Sequence, residues 1–265
     1  MGLTVAVAQF GATTDKAANR ESVAKLIEQA AGTGAELVVL PENAMYSNPD
    51  PTADTSSERE PTTGDFGTLI GHLAKQHGVT IVAGMTAIND ANDKGINTLL
   101  IVGPDGAQID KYEKVHLYDA FGYRESDRVE AAAFRPVTFE LGGFTFGAMT
   151  CYDLRFPEMA RALVDADADV LLLPAAWVAG PSKEDHWTTL LRARAIENTV
   201  YVVAAGQSGP HCTGLSMVID PMGVVVANAG EVAGTATTHI DPERVQTVRA
   251  KNPSLSNRRF TVASK

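Results

Sequence analysis

A repeated order of apolar segments is the strongest constraint that this sequence places on its fold. Strand-like apolar runs alternate with stretches of helical periodicity, and a polar turn after the third run of each half predicts a hairpin. The strand-like runs span residues 3–10, 36–40, 78–84, 144–150, 169–173 and 199–205. Both halves therefore share the order strand, helix, strand, helix, strand and hairpin, with loops of unequal length between equivalent positions.

The strands of this pattern are almost continuously apolar, which is typical of sheets that are buried on both faces. Two such sheets packed together, with the helices outside, would form a four-layer α-β-β-α sandwich with an internal pseudo-two-fold repeat. One doubly wound sheet is the alternative, and the pattern alone favours neither. The length of 265 residues predicts a single α/β domain over residues 1–265, ending in an arm over about 245–265.

The composition excludes several classes of protein. The formal net charge of -10 argues against binding to nucleic acid or to an anionic membrane, because both require a positive field. The longest apolar stretch, 170–179, contains a proline and is shorter than the roughly 20 residues of a membrane span. Two cysteines exclude a disulfide framework and favour a reducing compartment, so we expect a cytoplasmic protein.

Three polar residues are the candidates for chemistry. The sequence has no Cys-x-x-Cys, His-Glu-x-x-His, Walker A or strand-linked Gly-x-Gly-x-x-Gly motif, so we expect no metal and no cofactor. Glu42, Lys114 and Cys151 follow apolar strands, at the ends where α/β sheets place their sites. A lone cysteine there is usually a small buried hydrophobe, and a lone Glu or Lys is usually solvated. Together they supply a base, a cation for an oxyanion and a nucleophile.

The segments around these residues resemble the motifs of the nitrilase superfamily of carbon–nitrogen hydrolases. The similar segments are 40–43 (Leu-Pro-Glu-Asn), 114–117 (Lys-Val-His-Leu), 151–158 (Cys-Tyr-Asp-Leu-Arg-Phe-Pro-Glu), 173–177, 186–187 and 192–198. The resemblance implies the four-layer sandwich, with Cys151 as nucleophile, Glu42 as general base and Lys114 as the oxyanion-stabilising cation. It also implies a second glutamate between the lysine and the cysteine. Glu125 is the better candidate for that place, and Glu130 is its competitor.

The run that begins at Cys151 is most similar to the branch that contains ω-amidases and deaminated-glutathione amidases. This similarity implies a small amide substrate that carries a carboxylate, rather than a nitrile, and hydrolysis through a cysteine thioester. The backbone N–H of Tyr152 would contribute to the oxyanion site. Arg155 either binds the substrate carboxylate or pairs with Asp153 or Glu158 as part of the scaffold.

Several other residues near the motifs have two interpretations. Aromatic side chains in the neighbouring loops either line the substrate pocket or serve packing. They are Tyr46, Phe121, Tyr123 and Trp177. Glu113 is expected to face away from Lys114, because neighbouring residues of a strand point to opposite sides. Cys212 matches no family motif and is expected to be structural.

The sequence is also compatible with other functions. An N-carbamoyl amino-acid amidohydrolase or a nitrilase would use the same three residues, and a non-catalytic interaction module would keep only the fold. The resemblance also implies a homodimer or a higher homo-oligomer. The basic stretch 245–260 is then either an arm that crosses to a partner subunit or a solvated tail.

Overall fold

The computed structural model describes residues 2–263, which fold into two six-stranded sheets flanked by helices. The strands of the first half are β1 (Leu3–Gln9), β2 (Leu37–Val39), β3 (Thr80–Ala87), β4 (Ile96–Val102) and β5 (Gln108–Glu113). Helices α1 (Lys16–Gly32) and α2 (Asp65–His77) connect the first three of these strands. A short ribbon of β6 (Asp119–Ala120) and β7 (Tyr123–Arg124) leads into the second half.

The second half has the same order of elements. Its strands are β8 (Thr138–Leu141), β9 (Phe144–Ala148), β10 (Val170–Ala175), β11 (Tyr201–Gly206), β12 (Met217–Ile219) and β13 (Val225–Asn228). Its helices are α3 (Pro157–Asp165) and α4 (Lys183–Asn198). The described chain ends with β14 (Gly234–Ile240) and helix α5 (Pro242–Lys251), followed by residues without regular structure.

The strand orders confirm the repeat that the sequence predicts. The first sheet has the order β14-β1-β2-β3-β4-β5, and the second has β13-β12-β11-β10-β9-β8. In each, three parallel strands are followed by an antiparallel hairpin, and a further antiparallel strand covers the opposite side. The covering strands β8 and β14 are absent from the sequence prediction, because they are short or rich in threonine and only partly buried.

Alternating side chains explain why the strands are apolar on both faces. In β1, Val5 and Val7 belong to the core between the two sheets, whereas Ala6 and Ala8 pack in the core beneath α1 and α2. Burial of an aliphatic side chain contributes roughly 1.5–3 kcal/mol, so both cores stabilise the sandwich strongly. The protein is therefore a sandwich of two sheets with helices outside, and the alternative of one doubly wound sheet is wrong.

Strand β10 extends past the point at which the sequence predicts its end. Pro174 lies inside it and pairs with Ala205 of β11. On its other side, pairing with β9 stops at Leu172. The Pro174 carbonyl accepts a hydrogen bond from the Thr150 side chain there, so a residue without an N–H fits this end of the strand.

The first part of the basic C-terminal stretch packs on its own chain. Val245 and Val248 of α5 are buried, Arg249 pairs with Asp169 at 2.8 Å, and Arg258 pairs with Asp165 at 2.6 Å. Residues 252–263 have no regular structure and are mostly exposed, so the arm that crosses to a partner subunit stays a prediction. The expected domain and arm also include residues 1, 264 and 265, which lie outside the described residues. No helix within 2–263 is long and apolar enough to cross a membrane.

Candidate active site

Cys151 lies where the chain leaves β9 and enters a 3-10 helix (Cys151–Arg155). Its φ of 48° falls in the left-handed region, which costs a residue with a side chain about 1–3 kcal/mol. Hydrogen bonds hold this turn in place. Thr150 Oγ1 donates to the Pro174 carbonyl at 2.7 Å, and the Thr150 N–H donates to Asp153 Oδ2 at 2.8 Å. The strained conformation is therefore fixed by buried contacts on either side of the cysteine.

Asp153 connects this turn to the segment that carries Lys114. Its buried carboxylate accepts hydrogen bonds from the Tyr112 hydroxyl at 2.6 Å and from the His116 backbone N–H at 3.2 Å. The His116 ring nitrogen Nδ1 lies 2.8 Å from the same carboxylate. Because Tyr112 and His116 bracket Lys114 in the chain, Asp153 sets the position of that lysine relative to Cys151.

Glu42 follows β2 and is almost fully buried. Its Oε1 accepts hydrogen bonds from Lys114 Nζ at 2.8 Å and from Asn97 Nδ2 at 2.7 Å, and its Oε2 accepts from the Ala176 N–H at 2.7 Å. Burial favours the neutral acid, but the Lys114 charge and these hydrogen bonds hold the pKa of Glu42 below its ordinary value of 4.5. The nearby Cys151 thiol also lowers the pKa of this carboxylate. An ionised base therefore faces the nucleophile at neutral pH.

Glycine and glutamine residues fix the backbone of Glu42. A Cβ at Gly84 of β3 would lie 2.5 Å from the Glu42 Cα and 2.7 Å from the Pro41 carbonyl oxygen, so only glycine permits this close approach. From the second half, Gln207 Nε2 donates to the Glu42 carbonyl at 2.8 Å. Both sheets therefore contribute to the position of the base.

Lys114 lies between the two carboxylates. Its Nζ donates to Glu42 Oε1 at 2.8 Å, to Glu125 Oε2 at 2.9 Å and to Glu125 Oε1 at 3.1 Å. Burial alone would lower the pKa of Lys114, but the charges of Glu125 and Glu42 raise it well above the ordinary 10.5. The ammonium is thus a fixed positive charge beside Cys151.

Glu125 belongs to this cluster, whereas Glu130 and Glu113 lie outside it. Glu125 begins a 3-10 helix (Glu125–Asp127), and its Oε2 also accepts the Tyr118 N–H at 2.7 Å. Glu130 is exposed. Glu113 pairs with Lys111 at 2.6 Å, on the side of the strand away from the site, as the sequence predicts.

The Cys151 thiol is protonated at rest. Burial and the nearby Glu42 charge raise the pKa of Cys151 well above 9.0, and they outweigh the opposite effect of Lys114. A thiol that meets an ionised carboxylate can react when its proton passes to that carboxylate during attack. The cluster can therefore perform nucleophilic catalysis with Glu42 as the base.

Two cations and several aromatic rings contact one another near the nucleophile turn. The Arg155 guanidinium carbon lies 4.9 Å from the centre of the Trp177 ring and 5.8 Å from that of Phe121. Lys183 Nζ lies 4.3 Å from the Phe121 ring centre and 3.2 Å from the Tyr118 hydroxyl. Within the described residues, neither cation has a carboxylate within 4 Å. The expected scaffold pairing of Arg155 with Asp153 or Glu158 does not form.

The remaining aromatic candidates occupy two places. Tyr152 packs edge-on against Tyr118 and Phe156, next to the nucleophile turn. Tyr46 and Tyr123 instead line a separate cavity that Asn97 and Glu125 also border. Neither Arg155 nor Trp177 lines that cavity, so the structure does not group Tyr46 with them.

Cys212 stays apart from the proton-transfer cluster. Its backbone bridges to Val178 in a loop, and its side chain is half-buried. Burial raises the pKa of Cys212 to about 12, which makes it a poor nucleophile at neutral pH. In the described part of the chain, no three His, Cys, Asp or Glu side chains are placed to hold a metal ion.

Some residues of the site escape the sequence analysis. Asn97 carries a signal, because it is an amide residue near the start of a mostly apolar strand, and it donates to both Glu42 and Glu125. Lys183 carries none. It reaches the site only because α4 begins beside Trp177, whose ring nitrogen donates to the Lys183 carbonyl at 2.9 Å.

The sequence between residues 4 and 250 matches the family model described as carbon-nitrogen hydrolase. The chain belongs to this family. A carbon-nitrogen hydrolase of Escherichia coli O157:H7, named deaminated glutathione amidase, is 42% identical over 260 residues, which cover 97% of this chain and 98% of the relative. The omega-amidase NIT3 of Saccharomyces cerevisiae is 34% identical, with 99% of this chain and 95% of the relative covered.

The fold of this carbon-nitrogen hydrolase also matches a solved structure closely. The crystal structure of Saccharomyces cerevisiae Nit3, a member of branch 10 of the nitrilase superfamily, superposes with a TM-score of 0.86 at 31% identity. The match covers 98% of this chain and 97% of that one. These similarities confirm the superfamily and the sandwich fold expected from the sequence motifs.

Proposed function

We propose that this carbon-nitrogen hydrolase cleaves a small carboxylate-bearing amide to a carboxylate and ammonia through a thioester on Cys151. One observation carries the proposal: a buried lysine, Lys114, bridges Glu42 and Glu125 directly beside a protonated thiol. A cluster of this kind is costly to bury for structural reasons alone, because each ion loses its hydration. It matches the needs of amide hydrolysis by a thiol.

Acylation begins when the Cys151 sulfur attacks the amide carbonyl and its proton passes to Glu42. The oxyanion that forms is stabilised by the Lys114 ammonium and by the backbone N–H of Tyr152. Glu42 then returns the proton to the amide nitrogen, the C–N bond breaks and ammonia leaves. The acyl group stays on the sulfur as a thioester.

Deacylation uses the same groups in the reverse order. Glu42 takes a proton from a water molecule as its oxygen attacks the thioester carbonyl, and Lys114 again stabilises the oxyanion. The C–S bond breaks, the thiolate recovers the proton from Glu42, and the carboxylate product leaves. Glu125 keeps Lys114 charged and directed at the reacting carbonyl during both steps.

Arg155 binds the carboxylate of the substrate in this proposal. Its Nε is buried without a hydrogen-bond partner, and the carboxylates expected to pair with it are elsewhere. A guanidinium pairs with a carboxylate through two parallel hydrogen bonds, so it is suited to this group. Trp177 forms the wall beneath it. The amide substrates in the names of the two relatives support an amide over a nitrile.

The reaction requires Cys151 to stay a free thiol, and we place the enzyme in the reducing cytoplasm for that reason. We also propose a homodimer or a higher homo-oligomer and a single domain over the whole chain.

A substrate panel tests the proposed function. The purified protein is given succinamate, an N-carbamoyl amino acid and 3-cyanopropanoate, and ammonia is measured in each case. We expect fastest release from succinamate, loss of release in Cys151→Ala, and retention in the matched variant Cys212→Ala. Release only from the carbamoyl compound, with carbon dioxide, or only from the nitrile would identify another reaction. No release from any compound would favour a non-catalytic module.

A further inference from the structure

Two cations, the buried Lys183 and the half-buried Arg155, face one another at the site without a carboxylate partner. Arg155 and Lys183 lie on the same two aromatic rings, Trp177 and Phe121, at distances of 4.3–5.8 Å from the ring centres. Among residues 2–263, no carboxylate lies within ion-pair distance of either. Their side-chain hydrogen-bond partners are a ring nitrogen and a hydroxyl: His186 Nδ1 lies 3.3 Å from Arg155, and the Tyr118 hydroxyl lies 3.2 Å from Lys183.

This arrangement destabilises the protein when nothing is bound. Lys183 is only 7% exposed, and burial together with the Arg155 charge lowers its pKa. Contacts with aromatic faces offset such costs only in part. The Arg155 Nε also remains an unpartnered buried donor. Two repelling cations and an unused donor are the groups that an anionic ligand would satisfy.

The place of Lys183 in its helix also argues against a structural role. It is the first residue of α4, where the helix dipole disfavours a positive charge. The residue before it, Ser182, has a φ of 59° and its side chain does not cap the helix. The helix dipole therefore does not stabilise this cation, and an anion bound beside it would.

Contacts connect Lys183 to the reacting groups. Tyr118, which receives the Lys183 hydrogen bond, donates its backbone N–H to Glu125, and its ring packs against Tyr152 next to Cys151. An anion held between Lys183 and Arg155 would therefore lie close to the nucleophile, because Arg155 ends the 3-10 helix that Cys151 begins.

We propose that Lys183 is a specificity-determining residue that acts with Arg155 to bind the acidic end of the substrate. This inference rests on the proposed amidase function and assigns to Lys183, beside Arg155, the recognition of the substrate carboxylate. The two cations hold the anion, Trp177 and Phe121 hold the chain, and Cys151 meets the amide.

The first experiment compares succinamate with butyramide, which has the same carbon chain and no charge. In Lys183→Met, the ratio of kcat/KM for succinamate over butyramide falls about 10- to 100-fold, mostly through KM, because a charge-assisted hydrogen bond is lost. Lys183→Arg restores most of the ratio. Lys25→Met, which removes an exposed lysine of α1, is the matched control and keeps the wild-type ratio. An unchanged ratio in Lys183→Met, or an equal loss for both amides, overturns the inference.

A second experiment does not depend on turnover. Succinate, the expected product, slows the alkylation of Cys151 by iodoacetamide, followed by mass spectrometry of the Cys151 peptide. We expect protection in the wild type and in Lys183→Arg and a large loss of it in Lys183→Met. Equal protection in all three contradicts the role of Lys183. Lys183-dependent protection in a protein that releases no ammonia would sustain the anion site and reject the proposed reaction.

Discussion

The Tyr112 hydroxyl donates a 2.6 Å hydrogen bond to the buried Asp153 carboxylate, and this contact joins the two halves of the sandwich at the site. Tyr112 lies on β5, two residues before Lys114, and Asp153 lies two residues after Cys151. The distance between the cation and the nucleophile therefore depends on a contact between side chains that take no part in the reaction.

Replacement of Tyr112 by Phe tests this connection. We expect the free energy of unfolding to fall by about 1.5–3 kcal/mol, because a hydrogen bond to a buried charge is lost. We also expect kcat to fall while KM for succinamate changes little, since Arg155 and Lys183 keep their contacts. Urea denaturation and steady-state kinetics measure the two effects. A stability loss without any change in kcat would show that the contact does not position the site.

Glu125 and Glu130 are the two candidates for the second glutamate of the site, and variants of both can be compared directly. Glu125→Gln removes the charge that holds Lys114 from one side, and we expect kcat to fall about 10²-fold through misplacement of the lysine. Glu130→Gln changes an exposed residue and should leave kcat within twofold of the wild type. Ammonia release from succinamate separates them. A larger loss in Glu130→Gln would reverse the assignment.

Glu42→Gln removes the base but keeps the size of the side chain. General base catalysis contributes about 10²–10⁴-fold, so we expect kcat to fall by that factor. The amide can still accept hydrogen bonds from Lys114 and Asn97 through its oxygen, so the fold should persist. Circular dichroism checks the fold and ammonia release checks the rate. Near-normal turnover in a folded variant would remove Glu42 from the mechanism.

The pH profile follows from the charges around Glu42. Lys114, the Asn97 amide, the Ala176 N–H and the Cys151 thiol face this carboxylate, and its pKa is lowered below 4.5. The pKa of Glu42 is lower in the folded than in the unfolded protein, so ionisation of Glu42 stabilises the fold. This contribution is complete above the unfolded-state pKa and is lost as the pH falls through the folded-state pKa.

We therefore expect kcat/KM for the uncharged substrate butyramide to stay level from about pH 5.5 upward, with an acid limb below 4.5. The raised pKa of Cys151 predicts no increase in rate between about pH 7 and pH 9, as ionisation of an ordinary thiol would give. Rates measured in buffers of constant ionic strength provide the check. A rise that follows thiol ionisation would mean that the thiolate forms before substrate attack.

Much of the fold can be predicted from apolar patterns in the sequence. Parallel strands buried on both faces are apolar throughout, so the sequence predicts β1 to β3 and β9 to β11 in their correct order. Strands β8 and β14 cannot be predicted in this way, since each is only partly buried. β14 forms by pairing with β1, at the other end of the chain, and β8 by pairing with β9. Tertiary pairing of this kind leaves little trace in local sequence.

The candidate site divides in the same way. Glu42, Lys114 and Cys151 each follow a predicted strand, and the motifs around them occur in the order typical of the family. The sequence therefore predicts all three as candidates. Lys183 has no such context. Its place beside Arg155 depends on where α4 begins relative to Trp177, which only the assembled structure displays.

The thioester on Cys151 is tested most directly by mass spectrometry of the enzyme quenched in acid during turnover of succinamate. We predict a succinyl adduct on the Cys151 peptide that hydroxylamine removes, and that disappears in Cys151→Ala together with ammonia release. Full turnover by Cys151→Ala, or steady turnover with the acyl group found on another residue, would contradict it.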